Sequence, residues 1–202
     1  MSATALGILL GLLVGLRHAF EPDHLTAIST LVHDARGPRH GIKLGVLWGI
    51  GHTISLLAVG VVLTIIGAAV PPKLGVVFEL AVAVMLLVLG ARAIVVDREP
   101  HAHPHPPRSG VRPMLVGLVH GLAGSGALTA LVFSQLPTTE ARLVYIAVFG
   151  AGSILGMGIA SGVVGAGLQL VHSHVVRRAI AITTGVVSIA VGLWWGIPLL
   201  AS

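Results

Sequence analysis

Six apolar runs, each long enough to cross a bilayer as a helix, constrain this chain more than any other feature. They fall at roughly 3–32, 42–69, 74–96, 113–134, 141–170 and 177–200, and a spanning helix needs about 20 apolar residues. The runs are continuous rather than alternating, which speaks against barrel strands of about 10 residues. Nor can the chain cover itself with a surface that suits water. Hydrophobic residues make up 55% of it and charged residues 9%, against about 25% charged in a soluble domain. The expected fold is an all-α membrane protein of six transmembrane helices. Its 27 glycines fit helices that approach closely. The absence of cysteine removes disulfide frameworks and thiolate metal sites.

Polar breaks separate the runs: Asp34 to Arg39, Pro71-Pro72-Lys73, Asp97 to Pro113, Pro137 to Glu140, and His172 to Arg178. The first run has no basic leader and continues past residue 25, so it reads as a retained helix rather than a cleaved signal. The breaks after runs one, three and five carry Arg36, Arg39, Lys43, Arg98, Arg108, Arg112, Arg177 and Arg178, and the opposite side carries only Lys73 and Arg142. The positive-inside rule then puts the first set in the cytoplasm and both termini outside, in a bacterial inner membrane. The net charge of +5 follows from this asymmetry, so no nucleic-acid partner is required.

The two halves match in order. Gly15-Leu16-Arg17-His18 aligns with Gly117-Leu118-Val119-His120, Leu25-Thr26-Ala27 with Leu128-Thr129-Ala130, Trp48-Gly49-Ile50-Gly51 with Phe149-Gly150-Ala151-Gly152, and Gly90 with Gly192, all at offsets of 101 to 103. Residues 1–96 and 113–202 therefore read as two three-helix repeats joined by a His/Pro-rich linker, 97–112. Three crossings per repeat invert the second relative to the first, a recurrent transporter plan with its site on broken helices near the midplane.

Histidine is the second unusual feature, at 11 residues. The segment Arg17-His18-Ala19-Phe20-Glu21-Pro22-Asp23-His24 places five ionisable groups within eight apolar-flanked positions, where such groups are costly and usually functional. Residues 3–32 as one straight helix would span about 45 Å, more than the hydrocarbon core of about 30 Å. Pro22 supplies a break by removing a backbone donor. A distorted turn there brings His18, Asp23 and His24 together, and two imidazoles with a carboxylate suit Ni²⁺, Co²⁺ or Zn²⁺. His52, in Trp48-Gly49-Ile50-Gly51-His52-Thr53 midway along the second helix, is a further ligand or relay facing the first. His120 is an auxiliary ligand candidate, with Ser125 and Thr129 as weak hydroxyl donors. Arg17 and Glu21 have the spacing of a helical ion pair. Pro22 and Thr53 are read as supporting the site. Glu79 either supports it, by pairing or relaying protons, or snorkels.

His-x4-Asp-His after Gly-Leu-Arg and before Leu-Thr-Ala-Ile resembles the signature of the nickel/cobalt transporter family, and Gly51-His52-Thr53 resembles that family's second motif. The resemblance implies metal-binding roles for His18, Asp23, His24 and His52. His120-Gly121-Leu122-Ala123-Gly124-Ser125-Gly126 and the six-run plan resemble the family's shorter urease-accessory branch. Glu21-Pro22 departs from the family's usual Asp-Ala, and the later Asp-containing motifs of its long members are missing.

His101, His103 and His105 alternate in the linker, and His172 and His174 repeat that spacing. They form either a metal-collecting segment or a solvated low-complexity linker. All seven histidines outside the apolar runs fall on the side assigned to the cytoplasm, which leans toward export or hand-off to cytoplasmic metallochaperones. No Gly-x4-Gly-Lys-Ser/Thr motif is present, which argues against a nucleotide-driven pump. The expected function is a secondary carrier for Ni²⁺ or Co²⁺. The alternatives are a membrane accessory protein that hands metal to urease or hydrogenase maturation, or an exporter. The chain lacks His-Glu-x-x-His, so an intramembrane protease is disfavoured, and an enzyme is not expected.

Overall fold

Proline decides where three of the helices begin. Its missing N–H is not needed in a first turn, and its fixed φ suits one; Pro22, Pro38 and Pro72 each open a helix. The computed structural model describes residues 3–32, 35, 37–67, 70–96, 110–136 and 138–200. Its helices are α1 (Ala3–His18), α2 (Pro22–Leu31), α3 (Pro38–Ile66), α4 (Pro72–Val96), α5 (Val111–Gln135), α6 (Thr139–Leu170) and α7 (His174–Leu199). No strand occurs among the described residues. The linker histidines His101, His103 and His105 lie outside them, as do His33 and the side chains of Ser125 and Thr129.

Six runs become seven helices because the first run is broken, as its excess length and Pro22 require. The break is Ala19-Phe20-Glu21, where tight-turn bonds replace helical ones: Phe20 N–H donates to the Arg17 carbonyl at 2.9 Å and Glu21 N–H to that of His18 at 3.1 Å. Five helices, α3 to α7, also start earlier than the apolar pattern indicates, so the expected breaks shorten. The second run opens at Pro38. Thr138 caps α6 by accepting from Ala141 N–H at 3.2 Å, and Ser173 caps α7 by accepting from Val176 N–H at 3.4 Å. Polar residues in these first turns are helical because their caps satisfy the free amides.

Helices α3, α4, α6 and α7 are long and apolar enough to cross a membrane. Large apolar side chains point outward from them, including Ile65, Leu170 and Trp194, each more than three-quarters exposed. A surface of that kind belongs against lipid. Helix α3 packs on α6 and α5, α1 on α6, and α4 on α7, while the short α2 reaches α4, α6 and α7. Ala27, Ile28 and Val32 of this region are wholly buried with Trp48, Leu86 and Met157.

Glycine sets the spacing of the main contacts. A Cβ on Gly15 would run into the Phe149 carbonyl, and one on Gly117 into that of Trp48. Likewise Gly152 lies against Leu12 and Leu16, and Gly51 against Met114 and Leu118. Hydroxyls join the same helices by donating to carbonyls: Thr53 to Gly150 at 3.2 Å, Ser153 to Gly15 at 3.3 Å, Ser55 to Leu118 at 2.6 Å and Ser188 to Leu86 at 2.8 Å. Such bonds hold helices together where lipid offers no hydrophobic drive.

Candidate metal site

The break between α1 and α2 ends one helix on His18 and starts the next on Pro22-Asp23-His24. The turn carries His18 back over His24, so their ring centres are 4.3 Å apart. His52 comes from the middle of α3, 5.3 Å from each of those rings. His120, from α5, lies 4.2 Å from His24 on its other side. His24, His52 and His120 are almost completely buried. The structure thus brings His18, Asp23, His24, His52 and His120 into one cluster inside the helix bundle.

The carboxylates determine which imidazole nitrogens remain free. Glu21 Oε2 lies 3.0 Å from His18 Nδ1. Asp23 spans two rings, with Oδ1 at 3.1 Å from His24 Nδ1 and Oδ2 at 2.9 Å from His120 Nε2. A carboxylate accepts, so each of these nitrogens carries the proton, and the opposite nitrogen of a neutral ring bears a lone pair. Those opposite atoms, His18 Nε2, His24 Nε2 and His120 Nδ1, are buried without a hydrogen-bond partner, as are both nitrogens of His52. Buried polar atoms of a packed protein are normally paired. Several unpaired imidazole nitrogens in one cavity are the donor chemistry that a divalent first-row ion takes, and a carboxylate on the far nitrogen orients such a ligand. One donor atom each from His18, His24 and His52 lies within 4.8 Å of the others, and the same holds for Asp23, His24 and His120.

Two of the residues expected to support the site behave differently from the sequence pattern. Glu21 pairs with His18 rather than Arg17, because α1 stops at His18 and the helical i,i+4 face that would join 17 to 21 does not exist. Glu79 accepts a hydrogen bond from Trp195 Nε1 at 3.4 Å between α4 and α7 and takes no part in the cluster. Thr53 uses its hydroxyl on the Gly150 carbonyl and fixes α3 against α6.

Sequence reasoning missed the aromatic walls. Trp48 packs 5.5 Å from His24 and 5.6 Å from His120, and Phe149 packs 5.1 Å from His18. Their signal was the repeat itself, since Trp48 and Phe149 stand at matching places in the two halves. Beside these walls only His18 and Asp23 of the cluster are partly exposed, at 15% and 13%.

No protein-family profile matches the chain, and no solved structure does. Among curated proteins, it is 27% identical to the chloroplast protein FOR GROWTH AND FERTILITY 1 of Arabidopsis thaliana, over 93% of this chain and 57% of that protein. It is 34% identical to urease accessory protein UreH of Bacillus sp. (strain TB-90), over 73% of this chain and 71% of the relative. That level of identity across most of both chains settles membership: the protein belongs to the UreH family, which is not a family of catalytic enzymes.

Proposed function

We propose that this protein is a secondary carrier that moves Ni²⁺ or Co²⁺ across a bacterial inner membrane, with His18, Asp23, His24 and His52 receiving the ion as it sheds water. The observation that carries the reading is the set of unpaired imidazole nitrogens on His18, His24 and His52, buried and mutually within ligand reach. A structural role for these histidines would leave their nitrogens hydrogen-bonded, as the hydroxyls of Thr53 and Ser153 are.

The transport half of the reading rests on architecture. The site straddles a broken helix, as carrier sites do. Contacts recur at the repeat offset: Gly15 against Phe149 and Gly117 against Trp48, Gly152 against Leu12 and Gly51 against Met114. Two inverted halves that meet through equivalent surfaces can rock against each other and open the site to alternate sides. The basic residues place the ends of α2, α4 and α6 on the cytoplasmic side.

A second reading draws on the relative's printed name, urease accessory protein: the chain hands metal to an enzyme-maturation apparatus without being an autonomous carrier. Reconstitution tests the two. Purified protein in liposomes takes up radioactive nickel under the first reading and only binds it under the second. Weaker nickel binding by His52→Ala is expected under both. Wild-type nickel binding in that variant rules out the metal site itself.

A further inference from the structure

Resting on that reading, we propose that the ion has two adjacent stations that share His24. The outer station is His18, His24 and His52, and the inner one is His24, Asp23 and His120. The donors fall into two groups, each with its atoms mutually within 4.8 Å, and His24 alone belongs to both. The ring positions follow the same order. His18 and His120 flank His24 at 4.3 and 4.2 Å, whereas His52 sits nearer His18, at 5.3 Å, than His120, at 6.0 Å.

Each station has one partly accessible member, His18 at 15% exposure with the half-exposed Glu21 behind it and Asp23 at 13%, while His24, His52 and His120 are buried, so outer and inner denote only the His18 and His120 sides of His24. His120 also has a buried Nδ1 with no hydrogen-bond partner. A buried Nδ1 would normally be paired; left open, it can take the ring proton when Nε2 becomes a ligand. The stations share His24, so they fill one at a time. Transfer moves protons only within the rings: the ion takes the place of the protons on His24 Nδ1 and His120 Nε2, the nitrogens facing Asp23, and each proton passes to the opposite, unpaired nitrogen of its own ring, so none is gained or lost. The ion exchanges His18 and His52 for Asp23 and His120 and passes across His24 from Nε2 to Nδ1. His120 thereby brings the second half of the chain into contact with the cargo.

The test is titration of detergent-purified protein with Co²⁺, read by its visible absorption, together with nickel uptake by liposomes. His120→Ala leaves only the nitrogen-rich outer station, and His52→Ala leaves the oxygen-containing inner one. The wild-type spectrum is expected to be a weighted sum of the two variant spectra, and His120→Ala liposomes are expected to lose at least about tenfold in uptake while the protein still binds Co²⁺. His120→Gln, which keeps an amide donor for Asp23 but has no ring nitrogen, should match His120→Ala and guards against misfolding. A wild-type spectrum that no such sum reproduces means one site with His120 as an additional ligand, and overturns the proposal. So does wild-type spectrum and uptake in both His120 variants. If wild-type protein binds no Co²⁺ at all, the carrier reading falls together with the two stations; if it binds Co²⁺ and only the sum fails, the carrier reading survives.

Discussion

His52 and Ser153 stand at matching places in the two halves, one residue after Gly51 and Gly152, and they use their polar atoms in opposite ways. Ser153 donates to the Gly15 carbonyl, closing a helix contact. His52 sits beside Gly117 on the equivalent face but leaves both ring nitrogens unpaired. The same contrast runs through the helix break. Where the first half has Asp23-His24, the repeat alignment puts Gly126-Ala127 in the second. Among the described residues, the first half supplies Asp23 and three of the cluster's four imidazoles, and the second half supplies His120. The difference teaches how the two kinds of buried polar residue use their atoms: Thr53, Ser153 and Ser188 spend theirs on carbonyls of neighbouring helices, whereas each imidazole of the cluster keeps at least one nitrogen open.

The sharpest way to break this comparison is His52→Ala. Because no hydrogen bond to His52 is lost, the bundle should keep its melting temperature in detergent. Nickel binding should weaken by about 10–100-fold, with the remainder held by Asp23, His24 and His120. A large loss of stability with nickel binding intact would make His52 a packing residue like Ser153. Asp23→Asn should come next, weakening nickel binding by about 10–100-fold. The amide can no longer accept from both His24 and His120, so the rings lose the tautomers that leave their other nitrogens open. Asp23→Glu, assayed alongside, should restore part of that binding if orientation is the cause.

Much of this was legible in the residues, for definite reasons. Membrane helices must satisfy their backbones internally, so the runs are long and continuous and the all-helical class can be read directly; the expected count of six spans differs from the seven described helices, four of them long and apolar enough to cross. The break was legible because proline cannot continue a helix at Pro22. The Arg17–Glu21 pair was misread because its spacing assumes one unbroken helix, and Glu21 turns to His18 instead. That Asp23 bridges His24 and His120 was out of reach, since it depends on where α5 lies. Trp48 and Phe149 were hidden because an aromatic residue in an apolar helix looks the same whether it faces lipid, core or a metal cavity.

Helix spacing gives a prediction of intermediate size that treats the halves alike. Gly15→Ala and Gly117→Ala each push a methyl group into a facing carbonyl, so each should destabilise the protein by about 1–3 kcal/mol. Gly75→Ala, with nothing near its new Cβ, should leave the melting temperature unchanged. Matching losses at Gly15 and Gly117 would sharpen the view of two equivalent packing surfaces, and a loss at only one would break it.

The smallest effect is expected at Ser153→Ala, and it returns to the opening contrast from the other side. Its hydrogen bond to Gly15 is long, at 3.3 Å, and interhelical bonds of this kind average about 0.6 kcal/mol in a membrane protein. The removed hydroxyl also leaves the Gly15 carbonyl within α1, where it remains a helical acceptor. Melting temperature should therefore drop only slightly, and nickel affinity and the Co²⁺ spectrum should not move, because Ser153 holds α6 to α1 without touching a ring nitrogen of the cluster. A change in the Co²⁺ spectrum of this variant would show that the packing contact and the metal cluster are one mechanical unit, and that the division of labour between the two halves is coupled through α1.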